Sequence, residues 1–130
     1  MEITSAQSLK ALKLATSKAA EMELPANIAI MDTAGHIKLF HRMDDAYLGS
    51  IDIAVQKAKT AMLFRMNSEA VGAFLAPENK TYGLVNTSGG LVAFRGGMPV
   101  KAGDTIIGYI GVSGGSPDQD FEIASAGSVL

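Results

Sequence analysis

His36 and His41 are the only imidazoles in a chain that has no cysteine, so there is no thiolate metal site and no cysteine nucleophile. The two sit five residues apart in one predicted strand. Odd spacing sends strand side chains to opposite faces, which argues against both gripping one ion. Either alone could be an axial ligand to a haem iron, although a solvated histidine at a strand end is the commoner case. Gly111-Val112-Ser113-Gly114-Gly115 places a serine among glycines. It lacks the G-x-S-x-G spacing and any evident His and acid partners, which argues against serine hydrolase chemistry. Asp118-x-Asp120-x-Glu122 resembles the start of a calcium loop, without the glycine and distal glutamate that loop needs. These acids more simply serve a helix N-terminus behind Pro117. The glycine pairs suggest a phosphate cradle, yet neither a P-loop nor a Gly-x-Gly-x-x-Gly between strand and helix is present.

What remains is a set of cations and soft side chains near predicted loop ends. Arg42, Arg65, Arg95 and Lys101 could hold carboxylates or propionates, with Met43 and Met98 beside them. An anionic, flat, apolar ligand suits such a set. The competing reading makes the arginines ordinary surface pairs.

These residues must be positioned by simple local elements. Thr4 or Ser5 caps a helix running to about Met22, with Leu9, Leu12, Ala15 or Thr16, Ala19 and Met22 as its apolar stripe. Leu24-Pro25 end it. Asn27 to Met31 reads as a short buried strand, Asp32 to Gly35 as a turn, and His36 to Arg42 as the returning strand of a hairpin. A second helix spans about Leu48 to Phe64, with Ile51, Val55, Ala58 and Met62 on one stripe. Asn67 caps a short restart through about Leu75. Pro77 to Lys80 form a loop, and Tyr82 to Val85 a brief strand or turn.

The glycine-rich C-terminal third organises the rest. Leu91 to Phe94 is a short apolar segment broken by Gly96-Gly97. Pro99 and Val100 begin a strand, Gly103-Asp104 turn it, and Thr105 to Val112 run back with strand-favouring residues. Gly108 and Gly111 have no Cβ and admit a backbone, a helix or a flat ligand. Pro117 opens a last short helix. The order is helix, hairpin, helices, hairpin, helix, which points to an α+β fold around one antiparallel sheet.

At 130 residues the chain makes one domain, 1–130, and 48% hydrophobic residues against 18% charged give it ample core. The surplus apolar residues favour a homo-oligomer. A net charge of −2 offers no footprint for nucleic acid, and no apolar run reaches membrane-spanning length. The N-terminus lacks the order of a signal peptide, so a cytoplasmic location is expected.

Six stretches in series match a known family: Asp32 to Gly35, Arg42 to Ala46, Ile53 to Ala61, Gly96 to Val100, Ile107 to Gly115, and Asp120 to Gly127. The chain resembles the GlcG/HbpS family of small haem-binding proteins, which includes the C-terminal domain of PduO. The resemblance implies a profilin-like fold with a five-stranded antiparallel sheet, helices on both faces, and assembly into dimers, tetramers or octamers. It implies haem as cofactor, with haem degradation or iron sequestration in one branch. Other members accompany glycolate, glycerol or diol utilisation, where an accessory or metabolite-binding role beside a metabolic enzyme is the alternative. On this reading Arg42, Lys57, Thr60, Gly96, Gly97 and Gly115 line a groove beside the second helix, and His36 or His41 meets the iron. Two departures stand out. The first helix has no histidine, a possible haem ligand in PduO-like members, and the last helix would be expected to continue past the end of this sequence.

Overall fold

The computed structural model describes residues 1–130. Helix α1 spans Ser5–Glu21 and begins in a capping box, with Thr4 accepting from the Gln7 amide and Gln7 reaching back to the Thr4 amide. Its buried stripe is Ser8, Ala11, Ala15 and Ala19, while Leu9 is 57% exposed. The expected stripe is therefore rotated by small residues winning over large ones. A Cβ on Gly127 would lie 2.8 Å from the Ala11 carbonyl and 3.3 Å from the Ala15 methyl. Only an alanine face lets the two helices come that close.

Strands β1 (Asn27–Met31) and β2 (Ile37–Arg42) form the first hairpin, and β3 (Gly97–Ala102) and β4 (Thr105–Ser113) form the second. β1 and β4 pair between them, giving one antiparallel sheet in the order β2-β1-β4-β3. The sheet has four strands where the resemblance implies five. Leu91 to Phe94 does not join it, because side chains on the neighbouring helices claim its backbone. The Val92 N–H donates to Thr60 Oγ1 at 3.0 Å, and the Phe94 carbonyl accepts from Ser68 Oγ at 2.6 Å. Residues Leu84–Asn86 form a 3-10 turn instead of a strand.

Helix α2 (Gly49–Phe64) covers one face of the sheet, and α1 with α4 (Pro117–Gly127) covers the other. On the second face Ala11, Ala15, Ala19, Ile28, Ile30, Ile110, Val112, Ile123 and Ala124 share the main core. On the first face α2 buries Ala54, Lys57, Ala58, Thr60 and Ala61, leaving Ile51, Val55 and Met62 half-buried. Here too the stripe shifts to small residues. A Cβ on Gly111 would sit 2.7 Å from the Ala58 nitrogen, so this glycine admits a helix, not a ligand. A short helix α3 (Ser68–Gly72) and three 3-10 turns follow α2. No helix is long and apolar enough to cross a membrane.

Candidate functional site

Lys57 is the centre of the glycine-rich region. It points from α2 through the gap beside β4 and is 1% exposed. Its Nζ donates to Asp120 Oδ2 at 2.9 Å and to the Val112 carbonyl at 2.9 Å, and it lies 5.0 Å from the centre of the Phe94 ring. Asp120, in the first turn of α4, is 3% exposed and also accepts from the Gly115 amide at 2.9 Å. Burial pushes the Lys57 ammonium below its ordinary value and the Asp120 carboxyl above its own, each opposed by the other's charge. Asp120 thus does more than complement a helix dipole.

The glycines complete this packing. Gly96 has φ +131°, and a Cβ there would lie 2.8 Å from Lys57 Nζ. At Gly97 it would meet the Lys57 carbonyl carbon at 2.6 Å. Gly115 is exposed, yet a Cβ would strike the Gln119 side chain at 2.5 Å and Leu24 at 2.8 Å. Thr60 donates to the Gln56 carbonyl at 2.8 Å and receives the Val92 amide. Lys57, Thr60, Gly96 and Gly97 do converge, as the sequence suggests. They converge on packed protein, and no groove remains between them for a propionate or a macrocycle.

The open cleft beside α2 lies on the neighbouring stretch. Asp52, Gln56, Gly89, Gly90, Leu91 and Val92 line about 200 Å³, below the usual range for small-molecule sites. Gln56 Oε1 is buried without a hydrogen-bond partner. Neither Asp52 nor Gln56 is legible as a site residue in the sequence, since their only signal is a position on the helix face beside the glycine-rich loop.

The histidine strand stands apart. His36 Nδ1 lies 3.4 Å from Asp32 Oδ2, with its side chain 80% exposed. Asp32 Oδ1 accepts from the Ala34 and His36 amides at 2.9 Å each, and these bonds, the His36 one largest, hold its carboxyl below the ordinary value. His41 is exposed and pairs with Ile28, while Arg42 pairs with Asn27. A register shift between Ile30 and Met31 breaks the expected alternation: Leu39 pairs with Ile30 but Ile37 with Met31. Separation of the histidines by strand parity therefore fails across this bulge. His36 lies just before β2 and Arg42 at its far end, and Arg42 and His41 are consecutive on a pleated strand. Arg42 therefore joins neither histidine in one compact site. Arg95 stacks 4.6 Å from the Phe121 ring and meets Asp118 at 3.3 Å, an ordinary surface pair. Met98 is buried in the core, and Met43 packs against it. Lys101 belongs to β3, where its N–H donates to the Ser128 carbonyl. No group of three or more His, Asp or Glu could hold a metal ion.

Comparison with known proteins decides the family. The model of the HbpS-like haem degrading proteins matches residues 3–128. The chain belongs to the HbpS-like family. It is 37% identical over 94% of its length to an uncharacterised 15.0 kDa protein from the dhaT-dhaS intergenic region of Citrobacter freundii, covering 87% of that protein. It is 34% identical over 86% of its length to the corrinoid adenosyltransferase PduO of C. freundii. The chain spans only 34% of PduO. Among solved structures, the PduOC:haem complex superposes with a TM-score of 0.90 at 29% identity, covering 98% of this chain and 93% of that one. The fold is thus that of a protein seen with haem. Within one chain of the present protein, no cavity encloses a macrocycle, and the buried cation expected to face it is already paired.

Proposed function

We propose that this protein binds haem at its surface, where His36 would hold the iron. The superposition on the PduOC:haem complex over 98% of the chain carries this reading. His36 is preferred over His41 because its Nδ1 faces a carboxylate while its side chain is 80% exposed. That is the arrangement that fixes the tautomer and orientation of metal-binding imidazoles. Asp32 is the positioning residue, itself held by two amides of the turn. Arg42, Lys57, Thr60, Gly96, Gly97 and Gly115 are assigned to packing or to unpaired surface, not to the ligand. Bound haem would supply the redox iron, and degradation would draw on that iron, with peroxide as oxidant, instead of on a protein nucleophile. The protein is proposed to act in the cytoplasm as a homo-oligomer, a state that light scattering would read.

The test is a haemin titration of the apoprotein followed in the Soret region, beside an inert protein of similar charge. A saturable, stoichiometric shift that His36→Ala abolishes and His41→Ala leaves intact is the expected result. A trace matching the control would sink haem as the ligand. A second reading then takes over, in which the chain is an accessory or metabolite-binding subunit of a glycolate, glycerol or diol utilisation pathway. The 37% identical relative from the dhaT-dhaS region favours it, and co-purification with a larger enzyme would support it.

A further inference from the structure

Helix α2 turns a polar face toward the glycine-rich segment, at the cleft lined by Asp52, Gln56, Gly89, Gly90, Leu91 and Val92. Asp52 and Gln56 are four residues apart, so their side chains share one face of the helix. The cleft is about 200 Å³. At ~30 Å³ for each water-sized group, that holds roughly six non-hydrogen atoms.

The hydrogen bonding of this lining is one-sided. The N–H groups of Gly90, Leu91 and Val92 are spent within the chain, on the Thr87 carbonyl, the Val85 carbonyl and Thr60 Oγ1. The carbonyls of Gly89, Gly90 and Leu91 receive no hydrogen bond from the chain. Gln56 Oε1 is buried without a partner. Asp52 is exposed and belongs to no ion pair. The lining therefore offers acceptors, and its one charge is negative. Asp52, in the first turn of α2, also complements the helix dipole, but that leaves the Gln56 acceptor unmet. A buried acceptor without a donor is costly, and the soft terminal torsion of glutamine lets Oε1 turn toward an incoming donor.

Lys59 is the cation next along this part of α2. Its Nζ is held by the Ser88 carbonyl at 3.2 Å. Seven residues of helix put it about 10 Å from Asp52 along the axis. That is roughly a Debye length at physiological salt, so Asp52 sets the charge at its own end of the cleft.

We infer that this cleft binds a small primary ammonium. Its three N–H groups are shared among the Asp52 carboxylate, Gln56 Oε1 and the free carbonyls of the glycine-rich segment, and its short carbon chain lies against Leu91 and Val92. None of these residues belongs to the histidine strand or to the Lys57–Asp120 pair, so the site stands whether or not haem binds.

The test titrates n-butylammonium chloride into the folded protein and follows it by amide NMR. Neutral n-butanol and calcium chloride are run in parallel at matched ionic strength. Saturable shifts are expected at the Gln56 side-chain amide and at the Gly89, Gly90 and Val92 amides, while those of Ile28 and Ile110 stay still. The alcohol should bind about tenfold more weakly or worse, a ~1.4 kcal/mol difference. Asp52→Asn should weaken the ammonium about tenfold and leave the alcohol unchanged. Gln56→Leu keeps the bulk without the acceptor and should weaken the ammonium roughly fivefold. The wild-type titration needs no variant, so a substitution that fails to fold leaves the test standing. Unsaturable shifts, equal affinity for the alcohol, or wild-type affinity in Asp52→Asn would each overturn the site. Calcium producing the same shifts at lower concentration would overturn the ammonium in favour of a metal ion.

Discussion

The Lys57 ammonium meets the Asp120 carboxylate at 2.9 Å with the two side chains 1% and 3% exposed, which ties α2 to the start of α4 across the end of β4. Burial drives both groups toward their neutral forms, so the pair is a fastener and not a source of net stability. Asp120→Asn alone removes the counter-charge, and because burial already favours the neutral Lys57 amine it should cost about 1–3 kcal/mol in urea unfolding, through hydrogen bonds left unmade. Lys57→Met with Asp120→Asn removes both charges and should return to within about 1–2 kcal/mol of wild type.

The pair also sets a pH dependence of defined sign. Asp120's folded value lies above its ordinary 3.8, so the folded state holds this proton more tightly than the unfolded chain does. Its contribution is fully present below 3.8 and is lost as pH rises through the folded value. The stability of wild type relative to the double variant should therefore improve on acidification through that window. A difference that stays flat, or falls, as pH drops would show that the pair outweighs its burial.

Glycine substitutions should separate close approach from mere flexibility. At Gly111 a Cβ would fall 2.7 Å from the Ala58 nitrogen, and backbone cannot swing aside as a side chain can. Gly111→Ala should lower stability by about 1–3 kcal/mol or more through overpacking. Gly49, at the first turn of α2, has nothing within 4 Å of its Cβ position. Gly49→Ala should raise stability by about 0.4–1 kcal/mol. Thermal unfolding of the two variants should move in opposite directions.

The contrast between those glycines also explains what could be read from the sequence. Both hairpins and all three long helices were legible, because alternation, turn chemistry and caps such as Thr4 and Ser116 are local signals. Which face of α1 and α2 turns inward was not. Periodicity counts large apolar residues, whereas Gly97, Gly111 and Gly127 draw the alanine faces inward instead. Leu91 to Phe94 could be read only as a short apolar segment, because its partners, Thr60 and Ser68, are side chains distant in sequence. The same blindness hid the function of Lys57. Its counter-ion lies 63 residues away, and a cation near glycines resembles a ligand-binding group until that partner is found.

One hydroxyl helps to dock the glycine-rich segment onto α2, beside the Lys59 ammonium that reaches the Ser88 carbonyl, and this gives a local prediction. Thr60 Oγ1 accepts the Val92 N–H at 3.0 Å and donates to the Gln56 carbonyl. Thr60→Val keeps the shape and removes the acceptor, so the Val92 N–H loses its partner at a cost of about 1–3 kcal/mol. Amide exchange at Val92 and its neighbours should accelerate while that of Ile28, Ile30 and Ile110 in the central strands follows only the global change. Uniform acceleration across both regions would mean that the segment and the sheet open together.

Asp32 tests the haem reading from its supporting side. Its Oδ1 holds the Ala34 and His36 amides while Oδ2 faces the His36 ring, so one carboxylate shapes the turn and aims the imidazole. Asn at this position keeps an acceptor for the turn and removes the charge beside Nδ1. Asp32→Asn should preserve the hairpin and weaken haemin binding about tenfold or more, the range seen when such outer partners are lost. Because those amides hold the Asp32 carboxyl below its ordinary 3.8, Asp32 stays charged wherever the imidazole is neutral and able to bind iron. A variant that binds haemin with unchanged affinity and an unchanged Soret band would remove Asp32 from the site and His36 with it, leaving His41 as the imidazole to test.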